Sequence, residues 1–108
     1  MVRLTTEIWV SAYLVRLGAA HIPTYVTAKG DATAGAVLVK CATLDGNADL
    51  WAREPGPNWE PVWTRIKRGP EAEIDAAAAK RRDADPDLWV LELEDRAGRT
   101  LLEDFGLA

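Results

Sequence analysis

Residues 34–44, AGAVLVKCATL, form an almost continuously apolar run in the middle of the chain. Such a run predicts a β-strand that is buried on both faces, because a strand with one face in water alternates between polar and apolar residues. A strand of this kind needs a covering layer on each side of its sheet. The chain has 108 residues, so we expect one layered domain spanning residues 1–108 and no second domain.

The first covering layer is predicted near the start of the chain. Residues 7–18, EIWVSAYLVRLG, follow a hydroxyl N-cap at Thr5 or Thr6 and lead to a stop at Gly18 or at the Ile22–Pro23 step. The apolar residues of this helix cover most of its circumference instead of one stripe. We therefore expect the helix to be buried between layers or shared with a second subunit.

A second helix is predicted after Gly69–Pro70. Proline suits the first position of a helix, acidic residues follow in the first turn, and basic residues occupy the last turn. The small side chains of Ala76–Ala79 would let this helix lie close to a sheet. Asp85–Pro86 ends the helical pattern.

The remaining segments read as strands separated by turns. Strands are predicted in TYVTAKGD, AGAVLVKCATL, residues 48–54, PVWTRIK and DLWVLELE. The predicted fold is α+β: an N-terminal helix, a four-stranded antiparallel meander, a second helix and a final strand, with the helices packed on the sheet. The crossover through the second helix would make the last strand parallel to the fourth. Residues 99–105 fit either a closing strand or a short helix.

Cys41 is the one cysteine, so it cannot form an internal disulfide, and its apolar surroundings suit a buried thiol in a reducing compartment. The apolar stretch IWVSAYLV is too short to span a bilayer and lacks the layout of a secretory peptide. We therefore expect a soluble cytoplasmic protein without a membrane partner.

The net charge of −4 is distributed unevenly along the chain. Residues 1–82 carry 11 basic and 9 acidic side chains, whereas residues 83–108 carry 2 and 8. An acidic balance disfavours general binding to a phosphate backbone, which needs clustered cations. The composition therefore disfavours a nucleic-acid partner, although a local basic strip is compatible with one.

Tryptophans and arginines alternate along the third and fourth predicted strands. Trp51 and Arg53 would share one face of the third strand, as would Trp63 and Arg65 on the fourth. Adjacent strands could then present an indole and guanidinium surface that anchors a protein partner or stacks a nucleobase. The alternative is that the indoles pack beneath a helix, which is the commoner environment of tryptophan. Trp59, in the loop EPGPNWEP, suits a lid or an interface contact.

Lys67 and Arg68 form a possible anion contact just before the second helix. The element order is similar to that of acyl-CoA-dependent N-acetyltransferases, in which a helix start holds the pyrophosphate. The glycine signature of that family is missing, and Glu71 and Glu73 would repel a phosphate. A diverged acyltransferase-like enzyme that binds CoA or a nucleotide here is one alternative function, and weak binding of single-stranded nucleic acid is a second.

No residue set for catalysis or metal binding stands out. His21 is the one histidine and has no predicted partner. Asp45–Asp49 opens like a calcium loop but lacks its glycine and final glutamate, so a hairpin turn is favoured. Asp104–Gly106 matches the kinase tripeptide by chance. A C-terminal acidic group is interpreted as the solvent-facing charge of an edge strand; it comprises Glu92, Glu94, Asp95, Glu103 and Asp104.

Four blocks in order, TEIWVSAYLVRLGAAHIP, KGDATAGAVLVK, LDG and WVLELEDRAGR, resemble a family of short alphaproteobacterial proteins of unknown function. The resemblance covers almost the whole chain and implies an independent one-domain cytoplasmic protein. It implies no activity, cofactor or catalytic residue. Together with the missing catalytic sets, it favours a noncatalytic protein-interaction module that forms a homodimer.

Overall fold

The computed structural model describes residues 4–103 as a five-stranded sheet with one helix on each face. The elements in chain order are α1 (Thr6–Ala19), β1 (Thr24–Ala28), β2 (Val37–Ala42), β3 (Asn47–Pro55), β4 (Pro61–Pro70), α2 (Glu71–Ala84) and β5 (Trp89–Glu94). The predicted α+β class and the packing of both helices on the sheet are confirmed. None of the helices described is long and apolar enough to cross a membrane.

The order of strands across the sheet is β1-β5-β2-β3-β4. Strands β2, β3 and β4 form an antiparallel meander, but β1 does not join it, so the predicted four-stranded meander is wrong in its first strand. Strand β5 lies between β1 and β2, antiparallel to the first and parallel to the second. The connection over residues 29–36 is long enough to span β5, because one inserted strand separates β1 from β2 by only about 10 Å.

The last strand runs in the same direction as β4, as predicted, but its hydrogen-bonding neighbours are β1 and β2. This placement also corrects the interpretation of the C-terminal acidic residues, since β5 is a central strand and not an edge. Glu92 forms an ion pair with Lys40, and Asp95 pairs with Arg99. Asp104 lies outside the described residues.

The all-apolar strand β2 is buried at every position, as its sequence predicts. Its alternate side chains enter two separate cores. Val37, Val39 and Cys41 join the core beneath α1, whereas Leu38 joins the core beneath α2. The two cores share β2 and β5, which therefore carry the layered arrangement.

Helix α1 begins at its predicted hydroxyl cap, where Thr5 Oγ1 accepts a hydrogen bond from the Ile8 amide at 3.4 Å. Its inward face buries Trp9, Val10, Tyr13 and Leu17 against the sheet. The opposite face leaves Ile8 54% and Val15 73% exposed. Within residues 4–103, α1 is covered on one side only, so it does not lie between two layers.

The buried hydroxyl of Tyr13 ties α1 to the C-terminal segment by donating to the Thr100 carbonyl at 2.6 Å. Leu102 is buried in the same core. Residues 99–103 form neither a strand nor a helix, and residues 104 and 105 lie outside the described range. In place of regular structure, the segment is held by the Tyr13 hydrogen bond, by hydrogen bonds between Arg99 and Asp95, and by apolar packing.

Lys40 lies on the α2 side of β2 and is only 4% exposed. Its Nζ contacts Asp75 at 2.7 Å and Glu71 at 2.9 Å, both from α2, and Glu92 of β5 at 2.8 Å. Desolvation lowers the pKa of Lys40, but the hydrogen bonds to Asp75, Glu92 and Glu71 outweigh it and raise that pKa above its ordinary value. The ammonium is therefore charged in the folded state and joins α2 to the sheet.

This ion cluster supplements a small apolar contact, since the buried residues of α2 are Ile74 and Ala78. We expect Lys40→Met to lower the free energy of unfolding by about 1–3 kcal/mol, because three partly hydrated carboxylates lose their counter-ion. Urea denaturation measures the loss. Lys80→Met, at an exposed position of the same helix, is the matched control and should change stability little.

The pH dependence gives a second measurement of the Lys40 effect. A raised folded-state pKa means that the stabilisation is complete below the ordinary lysine pKa of about 10.4 and is lost only as pH rises through the folded value. The stability difference between the wild type and Lys40→Met should therefore stay constant from pH 6 to about 9. A difference that shrinks within this window would show that Lys40 is neutral when folded.

The thiol of Cys41 is fully buried beneath α1. Burial, with smaller contributions from Asp95 and Asp49, raises the pKa of the Cys41 thiol from 9.0 to about 12. We expect a disulfide reagent at pH 8 to react on the order of a thousand times more slowly with the folded protein than with urea-unfolded chains. Comparable rates in both states would contradict the buried placement.

Candidate interaction site

A cleft opens at the end of the sheet where β2 and β3 separate. Their last paired residues are Val39 and Trp51, yet β3 continues to Pro55 and remains paired with β4 as far as Pro61. Residues 52–64 thus form a two-stranded extension, here called the hairpin arm, beyond the edge that β2 covers. The cleft between the arm and the rest of the fold has a volume of about 670 Å³.

Five parts of the chain line this cleft, here called the tryptophan cleft. They are the first turn of α1 with the two residues before it, the loop over residues 33–36, the start of β2, the hairpin arm, and two side chains from the α2 face, Arg81 and Leu88. Three of the five tryptophans, Trp9, Trp59 and Trp63, are among the lining residues. The cleft is thus an aromatic opening between the two faces of the sheet.

The floor of the cleft is a stack of aromatic rings. Trp63 stacks on Trp9 with 5.7 Å between ring centroids, and Trp9 stacks on Tyr13 at 4.9 Å. Trp51 packs half-buried against the same core as Trp63. Both residues therefore lie on the α1 face of the sheet, and Trp63 packs directly against the helix, which favours the buried alternative over an open stacking surface.

The indole nitrogens of Trp51 and Trp63 are buried and donate hydrogen bonds to no residue within 4–103. A buried donor without an acceptor costs about 1–3 kcal/mol, so such groups are uncommon in cores. At these two positions, packing of the large rings therefore outweighs hydrogen bonding of the indole nitrogens.

Trp59 differs from the other tryptophans because it is 87% exposed. It sits at the tip of the hairpin arm with φ of 61°, a left-handed conformation that is costly for a bulky residue. Two backbone hydrogen bonds close the loop around it: the Gly56 amide donates to the Glu60 carbonyl, and the Trp59 amide donates to the Gly56 carbonyl. The loop thus holds a large ring in water at the mouth of the tryptophan cleft.

The strand register places Trp51 opposite Arg65 and Arg53 opposite Trp63. The predicted neighbours therefore meet across β3 and β4, although the two indoles are half-buried while Arg53 and Arg65 are exposed. Arg65 also lies 4.0 Å from the buried carboxylate of Asp49. Of the predicted interaction residues, Arg53, Trp59 and Arg65 are the exposed ones.

Charges at the cleft come from the hairpin arm and from α2. Arg53 and Glu54 line it from the arm, and Arg81 lines it from α2. Arg81 approaches Glu54 to 3.9 Å, a separation typical of a loose and solvent-exposed ion pair. The aromatic floor therefore has a polar rim of both signs.

Lys67 and Arg68, the predicted anion contact, do not converge on one point. Lys67 pairs with Leu50 and Arg68 pairs with Asp49, and these adjacent positions of β3 face opposite sides of the sheet. Arg68 is directed towards Asp49, with 3.5 Å between Nε and Oδ1. The helix start beside them carries Glu71, which already contacts Lys40.

His21 and Asp45, considered above for catalysis and calcium binding, lie in connections between the helices and strands. His21 is exposed after α1 with φ of 59°. Asp45 shapes the β2–β3 hairpin by accepting hydrogen bonds from the Thr43 hydroxyl and the Asn47 amide, which lowers the pKa of that carboxyl. Residues 4–103 contain no group of three or more metal-ligating side chains placed to hold an ion. Asp104–Gly106 lies outside the described residues.

Most of the lining of the tryptophan cleft could not be predicted from the sequence. Thr5, Thr6 and the loop over residues 33–36 come from far along the chain, and Arg81 comes from the opposite face of the sheet. One local signal exists, since the prolines at 55, 57 and 61 mark a hairpin end that leaves the sheet. No local pattern indicates that the arm would separate from β2.

Comparison with known proteins shows one family. The profile described as a protein of unknown function, DUF1491, matches residues 4–103. A crystal structure of a DUF1491 family protein from Caulobacter crescentus is similar, with 40% identity, a TM-score of 0.82 and 94% of each chain covered. An NMR structure of a DUF1491 family protein from the same organism is similar too, with 39% identity, a TM-score of 0.83 and 94% of each chain covered.

A solution structure of protein Atu0922 from A. tumefaciens is also similar, with 32% identity, a TM-score of 0.73 and 86% of each chain covered. A search of the curated proteins finds no match. The resemblance expected from the four sequence blocks is thereby confirmed, and the chain belongs to the DUF1491 family of proteins of unknown function.

Proposed function

We propose that this protein is a noncatalytic protein-interaction module that receives an apolar or aromatic side chain of a partner in the tryptophan cleft. The observation that carries the proposal is Trp59, held 87% exposed in a strained left-handed conformation at the mouth of an aromatic cleft. Backbone strain of this kind concentrates at functional positions. A ring that is 87% exposed adds little to the stability of the fold through apolar burial.

The dimensions and composition of the cleft support the same proposal. A volume of about 670 Å³ lies within the range of binding clefts and is large enough for one or two side chains of a partner. Tryptophan and arginine are the residues most enriched at the centres of protein interfaces, and both line this cleft. Glu54 and Arg81 at the rim would orient polar groups of the partner.

Replacing Trp59 by alanine tests the cleft. Peptides selected from a displayed library on the wild-type protein should bind Trp59→Ala at least about thirtyfold more weakly, the loss expected for an interface anchor of about 2 kcal/mol. Calorimetry on synthetic peptides measures the affinity. Tyr25→Ala is the matched control, because Tyr25 is an exposed aromatic residue on β1 at the opposite edge of the sheet.

The control should leave the affinity unchanged. Indole N–H signals in a ¹⁵N-correlated NMR spectrum locate the peptide independently, and those of Trp59 and Trp63 should move. Peptides that bind Trp59→Ala as tightly as the wild type would remove the tryptophan cleft as the binding site.

We also propose that a second copy of the chain covers the outer face of α1. Ile8 and Val15 lie two turns apart on that face, with the exposed Ala12 between them and Ala19 one turn beyond. Apolar residues at this spacing form the seam along which two helices pack. One helix pair buries less surface than a standard interface, so this homodimer is expected to be weak.

Val15→Glu tests the homodimer by placing a charge in the seam. The wild type should show an average mass that rises with concentration through the micromolar range in light scattering, while Val15→Glu remains monomeric because burying the new carboxylate is costly. Arg96→Glu, in an exposed turn away from α1, is the control and should behave like the wild type. A wild-type mass that stays monomeric at every concentration would refute the homodimer.

A further inference from the structure

We infer that the outer edge of β4 is a second binding surface, which takes an extended acidic peptide as an additional strand of the sheet. Strand β4 is the last strand on its side and spans ten residues, Pro61–Pro70. Every residue in it is exposed or half-buried. It is twice as long as β1, the five-residue strand at the opposite edge.

The backbone of β4 is arranged to accept a further strand. The Gly56 amide donates to the Glu60 carbonyl, so alternate pairs beyond it, such as Glu54 with Val62, also face each other through hydrogen bonds. The intervening residues Trp63 and Arg65 then direct their amide and carbonyl groups away from β3. No described residue pairs with that outer edge.

The charge of β4 selects the kind of partner. Its three ionisable side chains, Arg65, Lys67 and Arg68, are all basic, although the whole chain has a net charge of −4. Asp49 lies within 4.0 Å of Arg65 and 3.5 Å of Arg68 and compensates them only in part. No ion pair within residues 4–103 involves Lys67. An extended segment with acidic residues would place carboxylates beside these cations, whereas a second β4 would bring like charges together.

Charged residues also protect the edges of sheets from unwanted pairing. This role alone does not explain β4, since β1 is an edge too and TYVTA carries no charge. A β-bulge between Lys67 and Arg65 interrupts the edge, so a bound strand would pair best with the part before the bulge and extend its acidic residues past it. Recognition would combine backbone hydrogen bonds with charge, as in other cases of strand addition.

The proposal shares with the proposed function only the expectation of a protein partner. The added strand would use the outer backbone edge of β4, whereas the tryptophan cleft uses the side chains of Pro61 and Trp63 from the same strand, so the two can fail separately. Trp59→Ala should leave binding at the edge intact, and a charge change at Lys67 should leave binding in the cleft intact.

The test is an NMR titration of the ¹⁵N-labelled full chain with a capped ten-residue peptide of repeated Val-Glu-Glu. This repeat presents carboxylates on both faces of an added strand, as the opposite directions of Lys67 and Arg68 require. Amide signals of Trp63, Arg65 and Arg68 should move, and the affinity should fall as salt is raised. The same peptide with N-methyl groups on four consecutive central amides keeps its charge but cannot form a ladder. It should bind at least about tenfold more weakly, because several backbone hydrogen bonds are lost.

Lys67→Glu provides the matched variant, because Lys67 is exposed and its replacement leaves the Asp49 pairs intact. This variant should bind the acidic peptide with an affinity at least about fivefold lower, as expected for a reversed charge at the rim of an interface. Lys80→Glu makes the same change of charge on α2 and should have no effect. Spectra that are unchanged away from the substituted residue confirm that each variant folds.

Four results would overturn the proposal. The N-methylated peptide could bind as well as its parent, which would leave only ion association. The shifts could lie outside β4, or no binding could occur at millimolar peptide, in which case the cations only guard the edge. A ten-nucleotide oligothymidine could shift the same amide signals and bind more tightly than the peptide. That result would reassign the outer edge of β4 to nucleic-acid binding.

Discussion

The hydrogen bonding of β5 to both β1 and β2 is the constraint on which the rest of this fold depends. The strand that comes last in sequence lies inside the sheet and supplies side chains to both cores, with Leu91 and Leu93 under α1 and Val90 under α2. Neither helix could bury its apolar face fully without it. The sheet therefore closes only through contacts between distant parts of the chain, an arrangement that slows folding relative to local pairing.

The same topology explains where the candidate sites lie. Strand β2 is held firmly on its β5 side, with six residues in register, but pairs with β3 over only four. Beyond Trp51 the hairpin arm follows its own twist with β4, and the tryptophan cleft opens beside it. Both proposed peptide-binding surfaces thus belong to the β3–β4 half of the sheet, the half that β5 does not reach.

Much of the fold could be predicted because local patterns agree with it. Each predicted helix and strand occurs close to its expected position, and the burial of β2 on both faces follows from its composition. The position of β1 could not be predicted, because no pattern in TYVTAKGD distinguishes a strand that pairs with β2 from one that pairs with β5. The acidic side chains of β5 were misleading, since Glu92 faces a buried lysine and not solvent.

The candidate site was less accessible to sequence reasoning. Alternation correctly relates Trp51 to Arg65 and Arg53 to Trp63 across two strands. It does not determine that α1 would cover the indoles, because that depends on which face of the sheet the first helix occupies. The Trp9–Trp63 stack joins residues 54 positions apart, and nothing near either residue indicates the other.

The charge of Lys40 also matters during folding, before the native sheet has formed. It is the one charged residue between Asp31 and Asp45, in a segment whose other side chains are apolar or small and prone to intermolecular β-pairing. Until β5 pairs with β2, the edge of β2 that β5 covers is open to other unfolded chains. The ammonium would then act as a gatekeeper against aggregation, and the carboxylates that later surround it allow a protective charge to be kept inside the finished sheet.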